Sequence, residues 1–84
     1  MVRVEIFGKA DCPLCDEALE AARLARGKVP FELRYVDITS DAALFERYRY
    51  EIPVVHVDGF RAFKHRVDPD ALAARVRRAQ EQRR

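Results

Sequence analysis

Val2, Val4 and Ile6 alternate with Arg3 and Glu5. This period-two pattern predicts a strand with one buried face, ended by Phe7-Gly8. After the loop Lys9-Ala10-Asp11 and Cys12 the period changes. Leu14, Ala18, Ala22 and Ala25 recur at helical spacing, with Leu19 beside them, and predict an inward stripe on a helix over residues 13–26. Pro13 suits a first helical position, where its missing N–H costs nothing. Asp16, Glu17 and Glu20 favour the start of that helix, Arg23 and Arg26 its end, and Gly27 stands where a left-handed cap would close it. Residues 31–37 (FELRYVD), rich in aromatic and β-branched types, predict a second strand. Thr39, Ser40 or Asp41 then caps a short helix over residues 41–48 that carries Leu44, Phe45 and Tyr48. Ile52-Pro53 interrupts, residues 54–57 form a third strand, and Asp58-Gly59 signals a two-residue hairpin into a fourth over residues 60–63. Asp68-Pro69 opens a last helix to about Gln80, with Leu72, Ala73 and Val76 inward.

The order is therefore β-α-β-α-β-β-α in an α/β layer arrangement with a mixed sheet. The first two strands, joined through a helix, should be parallel with a right-handed crossover, and the closing pair an antiparallel hairpin. A chain of 84 residues makes one domain, 1–84, with a thin core. Sixteen basic and 14 acidic groups give a formal charge of +2, a near-balance that argues against a dedicated nucleic-acid binder. The densest basic stretch, residues 75–84, reads as a solvated helix end whose cations suit the dipole. No basic leader followed by an apolar run opens the chain, and no stretch approaches the ~18 apolar residues of a membrane span. A soluble, cytoplasmic protein without membrane partners is expected, and in a reducing compartment two cysteines make a poor permanent staple.

Cys12-Pro13-Leu14-Cys15 carries the chemistry. A cysteine at a strand-to-helix turn meets unpaired backbone N–H groups and the positive end of the helix dipole, which stabilise a thiolate. In such motifs the thiol pKa falls from ~8.5 to about 3.5–7.5, so the sulfur attacks disulfides at neutral pH. A second sulfur one turn on can resolve the mixed disulfide. Lys9 favours the thiolate; Asp11 and Asp16 oppose it. Two alternatives stand beside this reading. A structural zinc site wants four ligands, and with no second cysteine pair only His56, mid-strand, and His65, after the hairpin, remain; no metal is expected. Two buried inert cysteines are the other alternative, against which Pro13 and the strand-to-helix setting argue. His56 and His65 read as ordinary polar residues rather than acid–base groups, and Tyr35, Tyr48 and Tyr50 as core or half-buried residues. Pro53 reads alone as a helix stop; beside a C-x-x-C it also fits a cis bond.

The set Phe7-Gly8-Lys9-Ala10-Asp11-Cys12-Pro13-Leu14-Cys15, Ile52-Pro53-Val54 and Asp58-Gly59 resembles the glutaredoxins, and especially the short bacterial glutaredoxin-like proteins. The resemblance covers essentially the whole chain. It implies the minimal thioredoxin fold, a four-stranded mixed sheet with three helices. It implies Cys12 as nucleophile, Cys15 as resolving thiol and Pro53 as a cis proline packed against them. It places Lys9, Pro13, Leu14, Ile52 and Pro53 in substrate binding, with Lys9 matching a family lysine that helps bind glutathione. Four features depart from the family pattern. Leu14 stands for a tyrosine, Glu51-Ile52-Pro53 for Thr-Val-Pro, and Phe63-Lys64 for a Gly-Gly turn; the acidic pair after the hairpin has no counterpart. Glu51 would also repel the carboxylates of glutathione.

The expected function is disulfide reduction through the Cys12/Cys15 dithiol by a monomer, with no bound cofactor. Glutathione is a possible but weak reductant, and a protein disulfide substrate or a reductase is the partner. The alternative is a non-enzymatic thioredoxin-fold module that binds an iron–sulfur cluster or a protein.

Overall fold

The computed structural model describes residues 1–83; Arg84, the end of the basic stretch, lies outside the described residues. β1 (Arg3–Gly8) leads to α1 (Pro13–Arg26), then to β2 (Glu32–Asp37). A single 3-10 turn, Ile38–Ser40, precedes α2 (Ala42–Tyr48). The chain closes with β3 (Val54–Val57), β4 (Phe60–Lys64) and α3 (Pro69–Gln82). The strands lie in the order β2-β1-β3-β4. β1 pairs parallel with β2, β1 antiparallel with β3, and β3 antiparallel with β4.

The two faces of the sheet bury different sets. Val2 just before β1, Val4 and Ile6 of β1, and Val55 and Val57 of β3 pack under α1 and α3. α1 contributes Ala18, Ala22 and Ala25, and α3 contributes Leu72, Ala73, Val76 and Ala79. The alanines let α1 lie close to the sheet, which suits a thin core. On the other face Phe7, Val54, Ile38 and Tyr48 form a smaller cluster under α2. Strand alternation explains the split: Phe7, one residue beyond Ile6, faces the opposite layer. Phe7 thus belongs inside β1, which runs to Gly8 rather than stopping short of it.

Asp41 caps α2 through the N–H groups of Ala43 and Leu44, and Asp68 caps α3 through that of Ala71. Asp58 and Gly59 both take positive φ, 50° and 85°, as a two-residue turn of this kind requires. Four expectations are corrected, the first being Tyr50, read as core or half-buried and in fact 82% exposed, and one irregularity in β4 is added. Gly27 is not a left-handed cap: its φ is −70°, and the turn after α1 stays right-handed, bonding back to the carbonyls of Arg23 and Leu24 so that Val29 is delivered into the core. Leu14 does not belong to the inward stripe of α1: it is half-buried, and Cys15, fully buried, takes that place above Ala18 and Ala22. β4 carries a bulge, since Phe63 opposes Val55 while Arg61 opposes His56, and Ala62 and Phe63 both pack on the larger core. The basic stretch is only partly a solvated face. Arg75 is half-buried, and Arg83 bonds the Asp58 carboxylate through two nitrogens at 2.8 and 2.7 Å, tying the end of α3 to the hairpin turn.

Candidate active site

The end of β1 and the start of α1 build the site together. After Gly8 the chain turns through residues 9–11, with Asp11 at φ 57°, and enters α1 at Cys12. Cys12 is the N-cap residue. Its backbone is extended, its sulfur accepts the Cys15 N–H at 3.2 Å, and its carbonyl accepts the Asp16 N–H at 3.1 Å. A sulfur here does the work usually done by a serine or aspartate oxygen. A neutral sulfur is a weak acceptor; a thiolate is a strong one. The cap therefore tightens when Cys12 ionises. Pro13 occupies the first helical position, where no N–H is lost.

The two cysteines are joined as a disulfide, with their Cα atoms 5.2 Å apart. Their exposures differ. Cys12 is half-buried at the rim, whereas Cys15 is fully buried. A partner arriving from solvent reaches the first sulfur only. Gly8 makes this packing possible: a Cβ added there would stand 2.9 Å from the Cys15 sulfur, 3.1 Å from its Cβ and 2.5 Å from the Tyr35 hydroxyl. Tyr35 reaches this point from β2, where it pairs with Ile6. Its hydroxyl donates to the Lys9 carbonyl at 3.4 Å. Burial, and then the negative charges of Asp16 and Asp37, push its pKa above the ordinary phenol value.

The second half of the site comes from the far side of the sheet. Val54 pairs with Phe7, so Pro53, fully buried, enters β3 opposite the end of β1 that carries Cys12. The Ile52–Pro53 peptide bond is cis. The Pro53 carbonyl accepts the His65 N–H at 2.7 Å, which ties the loop after β4 to the proline. His65 takes a φ of 67°, the left-handed region. Ile52 is half-buried, packs on the smaller cluster and lies outside every paired register. A cavity of about 260 Å³ opens between Leu14 and Glu17 of α1 and residues 65–69. Leu14 and the proline-linked His65 thus border one hollow; Lys9, half-buried at the turn before Cys12, does not line it.

Two charge readings change. Glu51 does not present a free negative charge: Arg61 binds its carboxylate and Lys64 lies 3.9 Å away. That pairing, chiefly the Arg61 hydrogen bond, holds its pKa below the usual carboxylate value. The argument that Glu51 repels an anionic ligand therefore fails. His56 is a packing residue, edge-on to Phe7 with ring centroids 4.8 Å apart and near Tyr48 at 6.2 Å. Burial pushes its pKa down, against the opposing charge of Glu5, its cross-strand partner. Among the described residues no cluster of three or more His, Cys, Asp or Glu side chains is arranged to hold a metal ion. No helix of the described residues is long and apolar enough to cross a membrane.

Sequence reasoning read Tyr35 as a core or half-buried residue and His65 as an ordinary polar one; the structure brings both to the site. Tyr35 reaches the cysteines only through the β1–β2 register, and His65 only through its backbone bond to Pro53.

Residues 3–77 match the family model described as glutaredoxin-like domain (DUF836). The X. campestris protein XcR50 has a similar solved structure, with a TM-score of 0.75 and 31% identity over 89% of this chain and 96% of that one. Protein Ne2328 from Nitrosomonas europaea superposes with a TM-score of 0.75 at 24% identity, covering 88% of this chain and 89% of that one. A single-site variant of thioredoxin from Halobacterium salinarum aligns with a TM-score of 0.67 at 20% identity, over 92% of this chain and 73% of that one. The four-stranded mixed sheet with three helices is a thioredoxin fold.

Proposed function

The chain belongs to the glutaredoxin-like domain family (DUF836), and from that premise we propose that it is a dithiol–disulfide oxidoreductase in which Cys12 attacks and Cys15 resolves. One observation carries the reading: the reachable sulfur of the pair is also the N-cap of α1, while its partner is sealed beneath it. The Cys12 thiolate, held by the Cys15 N–H and the helix dipole, attacks one sulfur of a substrate disulfide. A Cys12–substrate disulfide forms, and the other substrate half leaves as a thiolate. Cys15 then attacks the Cys12 sulfur. The intramolecular disulfide closes, and the second substrate half leaves as a thiolate. The substrate has gained two electrons and the protein has lost them. A thiol or dithiol reductant returns them.

Protein disulfides suit this surface better than glutathione. The cavity beside Leu14, at about 260 Å³, is smaller than the ~300–1,000 Å³ that encloses a drug-sized ligand. His65 also holds the left-handed position beside Pro53 where a glycine would leave the backbone open. Leu14, Pro13 and Ile52 offer apolar contact, and Lys9 a positive charge, to an extended segment carrying the disulfide.

The test is alkylation of the reduced protein at neutral pH, read by mass spectrometry. Cys12 should be labelled well before Cys15. Cys12→Ser should abolish disulfide reduction, and Cys15→Ser should accumulate mixed disulfides. Preferential labelling of Cys15, or full activity in both variants, would overturn the assignment. In a coupled assay, glutathione with its reductase should support only slow turnover of a small mixed disulfide. Turnover equal to that of an ordinary dithiol glutaredoxin would show that His65 leaves the groove open.

A further inference from the structure

Cys15 has a difficulty that Cys12 does not. It must become a thiolate to resolve the mixed disulfide, yet its side chain is fully buried, and among the described residues no polar or charged residue is buried with it. A buried thiolate without a hydrogen-bond donor or a cation is costly. One polar group lies nearby. The Tyr35 hydroxyl and the Cys15 sulfur press on the same point of the backbone, 2.5 and 2.9 Å from where a Gly8 Cβ would lie.

We infer that the Tyr35 hydroxyl donates a hydrogen bond to the Cys15 sulfur as it ionises, which makes Tyr35 a positioning residue for the resolving step. This rests on the dithiol reading above. In the disulfide the Cys15 sulfur is a weak acceptor, and the hydroxyl is turned to the Lys9 carbonyl at 3.4 Å, beyond the usual range of such a bond. A bond so long is easily exchanged for one to a thiolate. The phenol keeps its own proton throughout. Its burial and the charges of Asp16 and Asp37 oppose ionisation, so it remains a donor at neutral pH. The Cys15 proton goes to solvent or to the departing substrate thiolate. The Cys15–Cys12 bond forms as the Cys12–substrate bond breaks. The groups that face Tyr35 are Asp37 on its own strand, Asp16 on α1 and Lys9 in the turn after β1. The two carboxylates favour the neutral phenol.

The experiment mixes the reduced protein with dithiobis(nitrobenzoate) and follows release of the coloured thiolate in stopped flow. The first release reports attack by Cys12, the second resolution by Cys15; Cys15→Ser should remove the second alone. In Tyr35→Phe, which keeps the ring, the second release should slow by about tenfold at neutral pH, as expected for loss of one hydrogen bond to a charged group. Its pH midpoint should rise by about one pH unit, and the first release should be unchanged. An unchanged second release, or equal slowing of both, would overturn the inference. Absence of a rapid first release in the wild-type chain would instead refute the dithiol reading. A measurement that needs no variant is the pH titration of the Tyr35 ring-carbon NMR signal. Its midpoint should lie higher in the reduced than in the oxidised protein, because a thiolate beside the phenol opposes phenolate, and equal midpoints would count against the inference.

Discussion

Gly8→Ala places one methyl group at the tightest point of the site. The new carbon would stand 2.5 Å from the Tyr35 hydroxyl, 2.9 Å from the Cys15 sulfur and 3.1 Å from the Cys15 Cβ. The first clash is cheap to relieve, since Tyr35 is 37% exposed and its ring can swing outward. The other two are not. Cys15 is fully buried, tied to Cys12, and set on a helix whose alanines already lie against the sheet. Relief requires the first turn of α1 to move. Overpacking of this kind costs about 1–3 kcal/mol. In a chain of this size each kcal/mol lowers the melting temperature by about 4–8 °C. Thermal unfolding of the oxidised protein should therefore show a loss of about 4–24 °C. Resolution by Cys15 should slow as well, because the hydroxyl is displaced from the sulfur. A Gly8→Ala protein with an unchanged melting temperature and unchanged disulfide reduction would refute the packing described around Cys15.

Two further predictions follow from charged groups away from the cysteines. Asp58, bonded by Arg83 and by the Arg3 N–H, is held at about 2 against an ordinary 3.8. Its contribution is at most about 2.4 kcal/mol at 1.36 kcal/mol per tenfold, and about 1 kcal/mol after surface screening. That stability is present above pH 3.8 and is lost as pH falls toward about 2. Urea unfolding should find Asp58→Asn less stable at neutral pH and equal to wild type near pH 2; a constant difference would refute the pairing. His56 has its pKa lowered below 6.5 by burial, so its contribution is full above pH 6.5 and is lost as pH falls through the folded value. His56→Phe should flatten this acid-side loss of stability, and an unchanged pH profile would remove His56 from the account.

Much of the fold was legible because its signals are local. The alternation of Val2, Val4 and Ile6, the Asp-Gly turn, and Asp68 before Pro69 each act within a few residues of the structure they specify. The failures share the opposite character. Gly27 looked like a left-handed cap, but the demand to bury Val29 decided the path of the chain. The bulge at Ala62 arises from pairing with β3 and packing on the core, and no local residue announces it. Leu14 and Cys15 both fit the periodicity of α1, and only the docking of the helix on Gly8 chooses between them.

The candidate site divides along the same line. Cys12, Pro13 and Cys15 were readable because the cap, the first helical position and the next turn are adjacent in sequence. Glu51 was misread because its charge is compensated by Arg61 and Lys64, brought to it from β4. Tyr35 was passed over because its distance to Cys15 depends on a parallel register, Ile6 against Tyr35, that no sequence pattern encodes. The asymmetry of the pair has the same origin. A C-x-x-C spacing places two sulfurs one turn apart, but it does not say which is sealed. Gly8, by having no side chain, lets the sheet approach the second sulfur and not the first. The difference in burial between the two sulfurs is therefore set as much by a residue four positions before Cys12 as by the motif itself.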